Sequence, residues 1–245
     1  MLNAQKSNWP KTDQFIVGIN EVHVWRAHLD VPSTELEALK GTLSDTEKAR
    51  AGRFKFQRDS ARFVTSRGVL RTILGSYLHK EPSEIQIDTQ VEGKPCLREA
   101  ENQEHLYFNL SHSQGLGVYA ICKMGEIGID VELIRDGIEV MELAERNFSK
   151  TEIEELKQLP QEERLLGFYL GWTRKEAYLK AEGTGLQVSL DSFAVSLDPR
   201  IAPRLISPNC SEWEIQSIEP APGYVGAVVV HGMKWTLKLL SWGSW

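Results

Sequence analysis

The chain has 245 residues, 41% hydrophobic and 25% charged, which is ordinary for a soluble globular protein and enough for one large domain or two of about 120 residues. A formal net charge of −6 argues against a general nucleic-acid binder, and no run of 18 apolar residues marks a membrane span. Cys96, Cys122 and Cys210 form no C-x-x-C pair, and Met1–Lys6 lacks the apolar run of a signal peptide, so a reducing, cytoplasmic setting is expected.

Residues 1–14 are polar around Trp9-Pro10 and read as a loose tail. Glu21–Leu29 alternates in polarity and predicts a strand that Pro32 ends. Ser44-Asp45-Thr46-Glu47 has the form of a capping box, and the helical pattern after it runs to about Leu78, with a break near Gln57-Arg58-Asp59. A strand around Ile85–Ile87, a turn at Gly93-Lys94-Pro95, and strands at Leu106–Leu110 and Gly117–Cys122 follow, with Ser111-His112-Ser113 between the last two. Tyr107, Asn109 and Ser111 leave one face of their strand, opposite Phe108 and Leu110, so that face is polar.

The second half repeats this order. Ser149-Lys150-Thr151-Glu152 restates the capping box 105 residues later, and the same offset carries Val24 onto Ile129, Phe63 onto Phe168 and Leu74 onto Leu179. Two similar halves, 15–120 and 121–245, are expected to pack about a pseudo-two-fold axis with a ligand at the seam. The fold class is α+β, each half a small, mostly antiparallel sheet with a long helix. The Trp-rich end, with Trp235, Trp242 and Trp245, is expected as an edge strand covering the second half.

Ile127-Gly128-Ile129-Asp130-Val131-Glu132 reads as a buried strand carrying two carboxylates. Alternation puts Asp130 and Glu132 on one face, about 7 Å apart along the backbone. Such a pair repels unless a cation, a proton or a basic group lies between them, and oxygen ligands without nearby His or Cys suit Mg²⁺, with Mn²⁺ as a substitute. The offset places Asp130 opposite Trp25, Glu132 opposite Ala27 and Glu176 opposite Arg71, so one of two former sites keeps its acids.

Glu176 lies four residues after Trp172 and three before Leu179, on the apolar side of the second long helix, with Arg174, Lys175 and Lys180 as an excess of cations around it. Gly183-Thr184-Gly185 then stops the helix. In the first half Arg50, Arg53, Arg58, Arg62, Arg67 and Arg71 recur along the helical region; arginine suits bidentate phosphate contact. Lys94, Ser111 and His112 add donors on loops. There is no G-x-x-x-x-G-K-[ST], no G-x-G-x-x-G and no G-x-S-x-G. The residues alone therefore indicate metal-assisted chemistry on a phosphate ester or anhydride.

Gly128–Glu132, followed by Trp172-Thr173-Arg174-Lys175-Glu176-Ala177, resembles the signature pair of 4′-phosphopantetheinyl transferases of the long, single-chain, Sfp-type (surfactin-synthetase-activating) branch. Gly93-Lys94-Pro95, Phe108–Ser113 and Phe148-Ser149 with Glu152 match in order, and the resemblance spans about Ser44 to Phe193. It implies coenzyme A bound between the halves. It also implies transfer of the 4′-phosphopantetheine arm to a serine of an apo acyl, peptidyl or polyketide carrier, with release of adenosine 3′,5′-bisphosphate. On this resemblance Asp130, Glu132 and Glu176 are the metal positions, and Glu176, Glu132 and Lys180 carry catalysis, with Glu176 or Glu132 as general base. Arg50, Arg53, Arg62, Lys94, Ser111, His112, Lys175 and Lys180 contact the coenzyme. Separately, the apolar periodicity of Ile138, Met141, Leu143, Ala144 and Phe148 predicts carrier docking on 135–159, in the C-terminal half. Glu47 departs from the pattern, standing where relatives can have a basic residue. A monomer without nucleic-acid or membrane partners is expected. A Mg²⁺-dependent nucleotidyl transferase or nucleotide hydrolase, and a carrier-binding module with a decayed site, are the alternatives.

Overall fold

The computed structural model describes residues 9–90, 93–183, 188–206, 212–232 and 234–243; Cys210, Trp245 and the Thr184-Gly185 part of the helix stop lie outside them. Strand β1 (Glu21–His28) leads to helices α1 (Ser33–Thr42), α2 (Asp45–Ala51) and α3 (Gln57–Leu78), the hairpin β2 (Ile87–Thr89) and β3 (Pro95–Leu97), and strands β4 (Tyr107–Ser113) and β5 (Leu116–Cys122). The second half begins with β6 (Ile127–Leu133), α4 (Val140–Asn147), α5 (Lys150–Gln158) and α6 (Gln161–Glu182). It continues with β7 (Ala194–Val195) and β8 (Leu205–Ile206), then β9 (Trp213–Ile218), β10 (Tyr224–His231) and β11 (Thr236–Ser241).

The repeat is present at the level of elements. One sheet has the order β11-β1-β5-β4 and the other β6-β10-β9, so β1, β5 and β4 correspond to β6, β10 and β9. Both long helices, α3 and α6, have 22 residues. Both capping boxes form: Ser44 and Ser149 accept from the N–H of Glu47 and Glu152, and those carboxylates accept from the serine N–H groups at 2.9 and 2.8 Å. Each capping glutamate is also gripped by a cation from the long helix, Arg71 on Glu47 at 2.7 Å and Lys175 on Glu152 at 2.7 Å. That grip explains the glutamate at position 47: it is the third residue of a helix start and the partner of a buried arginine.

Alternation sorts the side chains into layers. Trp25, Ala27, Phe108, Tyr119 and Ile121 meet Val69, Leu70, Ile73 and Leu74 of α3. Val22, Val24, Val118 and Ala120 instead meet Ile127, Ile129, Val131 and Val228 between the two sheets. Phe168, Leu170 and Ala177 of α6 pack with Ala227 and Val229 on the outer face of the second sheet. The order is therefore helix, sheet, sheet, helix. No helix among the described residues is long and apolar enough to cross a membrane.

Several boundaries differ from expectation. The helical run from Ser44 breaks at Gly52–Phe56, before Gln57, because α2 ends on Gly52 and α3 starts afresh. Helix α1 was not anticipated: Pro32, expected only to end a strand, also stands at its N-cap. The strand expected at Ile85–Ile87 starts at Ile87, since the Ile85 carbonyl accepts from Arg71 at 2.8 Å. Trp9, placed in the expected loose tail, is buried; its carbonyl accepts from Ser241 Oγ at 2.7 Å and its indole lies under Arg26. The Trp-rich end does form an edge strand, but it covers the first half: β11 pairs parallel with β1, Leu239 beside Val24.

Helix α6 lies unusually close to β6. A Cβ on Gly128 would sit 2.0 Å from the carbonyl oxygen of Ala177 and 2.4 Å from the nitrogen of Ala181, so only glycine there, facing two alanines, permits the contact. Both clashing atoms are backbone, and relief requires the whole helix to move. Gly128→Ala is expected to cost about 3 kcal/mol or more in urea denaturation; a wild-type midpoint would contradict this packing.

Candidate active site

The close contact of α6 with β6 places the last two turns of the helix over the acidic strand. Asp130 is buried, and its Oδ1 accepts from Lys180 Nζ at 2.6 Å and from Ser111 Oγ at 2.8 Å. Lys180 Nζ also donates to Ser111 Oγ at 3.1 Å and to the Ile129 carbonyl at 3.3 Å. The other oxygen, Asp130 Oδ2, is buried with no hydrogen-bond partner among the described residues.

Two more carboxyls share the field of Asp130. Burial raises Glu132 above the usual carboxylate range; the Ser113 hydroxyl, donating to its Oε2 at 2.7 Å, opposes the shift and Asp130 adds to it. Glu176 is raised by burial first, then by Asp130, with Lys180 acting against both. Three acids, one of them a buried and half-satisfied carboxylate, form a site that gains from a cation. Hard oxygen donors with an orphaned Asp130 Oδ2 fit a divalent ion of the Mg²⁺ class. Among the described residues no three acid, imidazole or thiol groups already converge at metal-binding distance.

Asn109, Ser111 and Ser113 all face the acidic strand, although β4 and β6 belong to different sheets. Asn109 Oδ1 accepts from the Ile129 N–H at 3.0 Å, and Ser113 Oγ from the Leu133 N–H at 3.2 Å. Ser111 and His112 therefore stand on a strand, not on a loop as expected. His112 is exposed at its edge; its ring is pushed below the ordinary histidine range by packed surroundings first, then by Lys180 and Arg67.

Two clefts meet at Lys180. One, of about 230 Å³, lies at the seam of the halves, walled by Gly93, Lys94, Pro95, Asn109 and Leu179. The other, of about 410 Å³, opens toward α4 and is walled by Arg146, Glu176, Leu179, Val188 and Leu190. Lys94 borders the first, its ammonium donating to Glu126 at 2.5 Å and to the Ala181 carbonyl at 3.3 Å. A third hollow of about 320 Å³ joins His112 to Phe54, Arg58 and Arg62. Arg62 is tied to Asp30 in a two-pronged pair at 2.7 and 2.6 Å, while Arg50 stacks over Phe63 and Arg53 is exposed.

The structure thus gathers Ser111, Asp130, Glu132, Glu176 and Lys180 in one place, with Lys94 and His112 at its borders. It does not bring Lys175 there. The Lys175 ammonium is fully buried on a different side of α6, donating to both Glu152 oxygens and to the Phe193 carbonyl and lying over the Phe193 ring. Burial holds it below the usual lysine range. Arg174 is likewise spent, on the Ser196 carbonyl and Ser217 hydroxyl, and is lowered by burial to about 10. The expected crowd of cations around Glu176 reduces to Lys180, which bonds Asp130 and not its helix neighbour.

Sequence reasoning passed over two side chains. Arg67 leaves Nη1 buried with no partner among the described residues, in the field felt by His112. Ser113 holds Glu132. The signal for Ser113 was available, because a serine pair two apart on one strand matches an acid pair two apart on another; Arg67 was hidden within the arginine stripe.

Removing one partner of a buried pair strands the other charge, at a cost of about 3–5 kcal/mol. Lys175→Met, which strands Glu152 in a pair buried on both sides, is therefore expected to lower the urea midpoint more than Lys180→Met, where the lysine of the pair is partly exposed. Equal effects of the two would reverse this division between scaffold and site.

The chain resembles known proteins along most of its length. A family model described as "4'-phosphopantetheinyl transferase superfamily" matches residues 126–229, and one described as "4'-phosphopantetheinyl transferase, N-terminal" matches residues 30–123. The chain is 40% identical over 229 residues to the 4'-phosphopantetheinyl transferase HetI of Nostoc sp., covering 94% of this chain and 95% of that protein. It is 32% identical over 211 residues to the 4'-phosphopantetheinyl transferase Sfp of Bacillus subtilis, covering 84% of this chain and 90% of that protein.

Proposed function

Because the chain belongs to the 4′-phosphopantetheinyl transferase superfamily, we propose that the cluster around Asp130 is where it moves the phosphopantetheine arm of coenzyme A onto a carrier serine. The observation that supports this assignment is the buried Asp130 carboxylate, one oxygen held by Lys180 and Ser111 and the other without a hydrogen-bond partner among the described residues. Asp130, Glu132 and Glu176 are the residues that would hold Mg²⁺. When bound, the ion offsets the charge of the pyrophosphate and of the departing nucleotide.

The chain's own groups supply the rest. The seam cleft, between Lys94 and Lys180, takes the nucleotide end, and the cleft toward α4 takes the arm past Glu176. Arg67 and His112 are the groups proposed to receive a phosphate, since Arg67 Nη1, buried with no hydrogen-bond partner among the described residues, gains from an anion. The carrier hydroxyl attacks the phosphorus that bears the arm: its O–P bond forms, the anhydride P–O bond breaks, and adenosine 3′,5′-bisphosphate leaves. Glu176, or Glu132, takes the hydroxyl proton; burial has already raised the proton affinity of both. Lys180 neutralises the transferring phosphate. The two halves together supply what two subunits would, and a monomer is the acting unit.

The carrier is proposed to dock over residues 135–159. Ala144 and Phe148 there belong to the core, while Ile138, Val140, Met141 and Leu143 are only half covered, and Arg146 is exposed. Charge reversal of Arg135 and Arg146 is expected to raise the KM for carrier and leave that for coenzyme A unchanged; an equal rise in both would remove the docking assignment.

The direct test incubates the protein with coenzyme A, Mg²⁺ and an apo carrier, and weighs the carrier. A gain of one phosphopantetheine is expected, with Asp130→Ala abolishing it while the far-ultraviolet dichroism stays that of the wild type. Near-normal turnover by Asp130→Ala would sink the metal assignment.

A further inference from the structure

The acid-bearing strand β6 and strand β4 share no backbone ladder, since each is an edge of a different sheet. What joins them beside the acids is a row of three side chains at alternate positions of β4. Asn109 accepts from the Ile129 N–H, Ser111 donates to Asp130 Oδ1, and Ser113 donates to Glu132 Oε2. Both serine–acid contacts span 19 residues, so the period of two on one strand is matched to the period of two on the other.

Ser113 differs from Ser111, which accepts from the Lys180 ammonium, in that its second bond comes from the backbone. Its Oγ accepts from the Leu133 N–H at 3.2 Å while donating to Glu132 at 2.7 Å, and the residue is 6% exposed. A hydroxyl has one proton and two lone pairs. With one lone pair committed to a backbone N–H, its rotor is pinned and its proton is aimed at Glu132. The backbone thus orients a serine, the serine holds Oε2, and Oε1 is left outside that bond. We infer that Ser113 is a positioning residue for Glu132, setting how that carboxylate meets a divalent ion at the Asp130 cluster. This rests on the metal reading above.

The test is titration of Mn²⁺ alone, followed by electron paramagnetic resonance, into wild type, Ser113→Ala and Ser113→Thr, at a temperature where circular dichroism shows all three folded. Loss of an outer hydrogen bond to a metal ligand weakens binding by about 10–100-fold, so Ser113→Ala is expected to raise the Mn²⁺ Kd about tenfold or more. Ser113→Thr, which keeps the hydroxyl, is expected to restore most of it; a residue that only fills space would show no such rescue. Equal Kd values for wild type and Ser113→Ala would overturn the role of Ser113 alone. A wild type that binds no Mn²⁺ would overturn it together with the metal reading.

Discussion

The distance between α6 and β6 governs the molecule. Helix and strand touch through Gly128, Ala177 and Ala181, where a single added carbon on Gly128 would overlap main-chain atoms. At that separation Lys180 reaches Asp130 at 2.6 Å, and Glu176 lies within the field of both strand acids. The glycine of the acidic strand and the alanines of the helix thus act through the absence of side chain, setting a spacing that the charged residues then use. Three carboxyls are held close at a cost in mutual repulsion, which Lys180 offsets only in part.

Much of this was legible in the sequence. Asp130 and Glu132 share a face because strands alternate, and the two capping boxes announced the repeat before any coordinates did. Helical spacing brought Glu176 to the apolar side of α6. Spacing along one helix could not say which neighbour a cation meets. Lys175 precedes Glu176 by one residue and points about 100° away around the helix, into Glu152. Nor could local pattern show that Ser111 and His112 extend a strand, because what keeps that strand extended is its pairing with β5, Ser111 beside Val118. Pairing between distant segments leaves little local trace, and β11 is the clearest case.

The two halves differ where β11 lies. In the second half, the edge of β6 away from β10 is left unpaired and faces β4, with the acids beside it. In the first half, the corresponding edge of β1 is occupied by β11. The counterparts of the acids are Trp25, buried and stacked on Phe15, and Ala27; Arg71, opposite Glu176, is consumed by Glu47 and the Ile85 carbonyl. The repeat has kept a scaffold on both sides and a polar seam on one.

The pairing of β1 with β11 also bears on how the chain comes to be folded. Val24 and its neighbour Leu239 are separated by most of the polypeptide, and the link is parallel, which no hairpin can make. Contacts of such separation form late, because a long loop must close before they give any return. While the chain is being synthesised, β1 waits with an open edge of hydrogen-bonding groups until residue 241 has emerged. An open strand edge is a template for association with other chains. A strand made after every other strand of the described residues thus completes the first sheet, and until it arrives the open edge of β1 exposes the chain to misassembly.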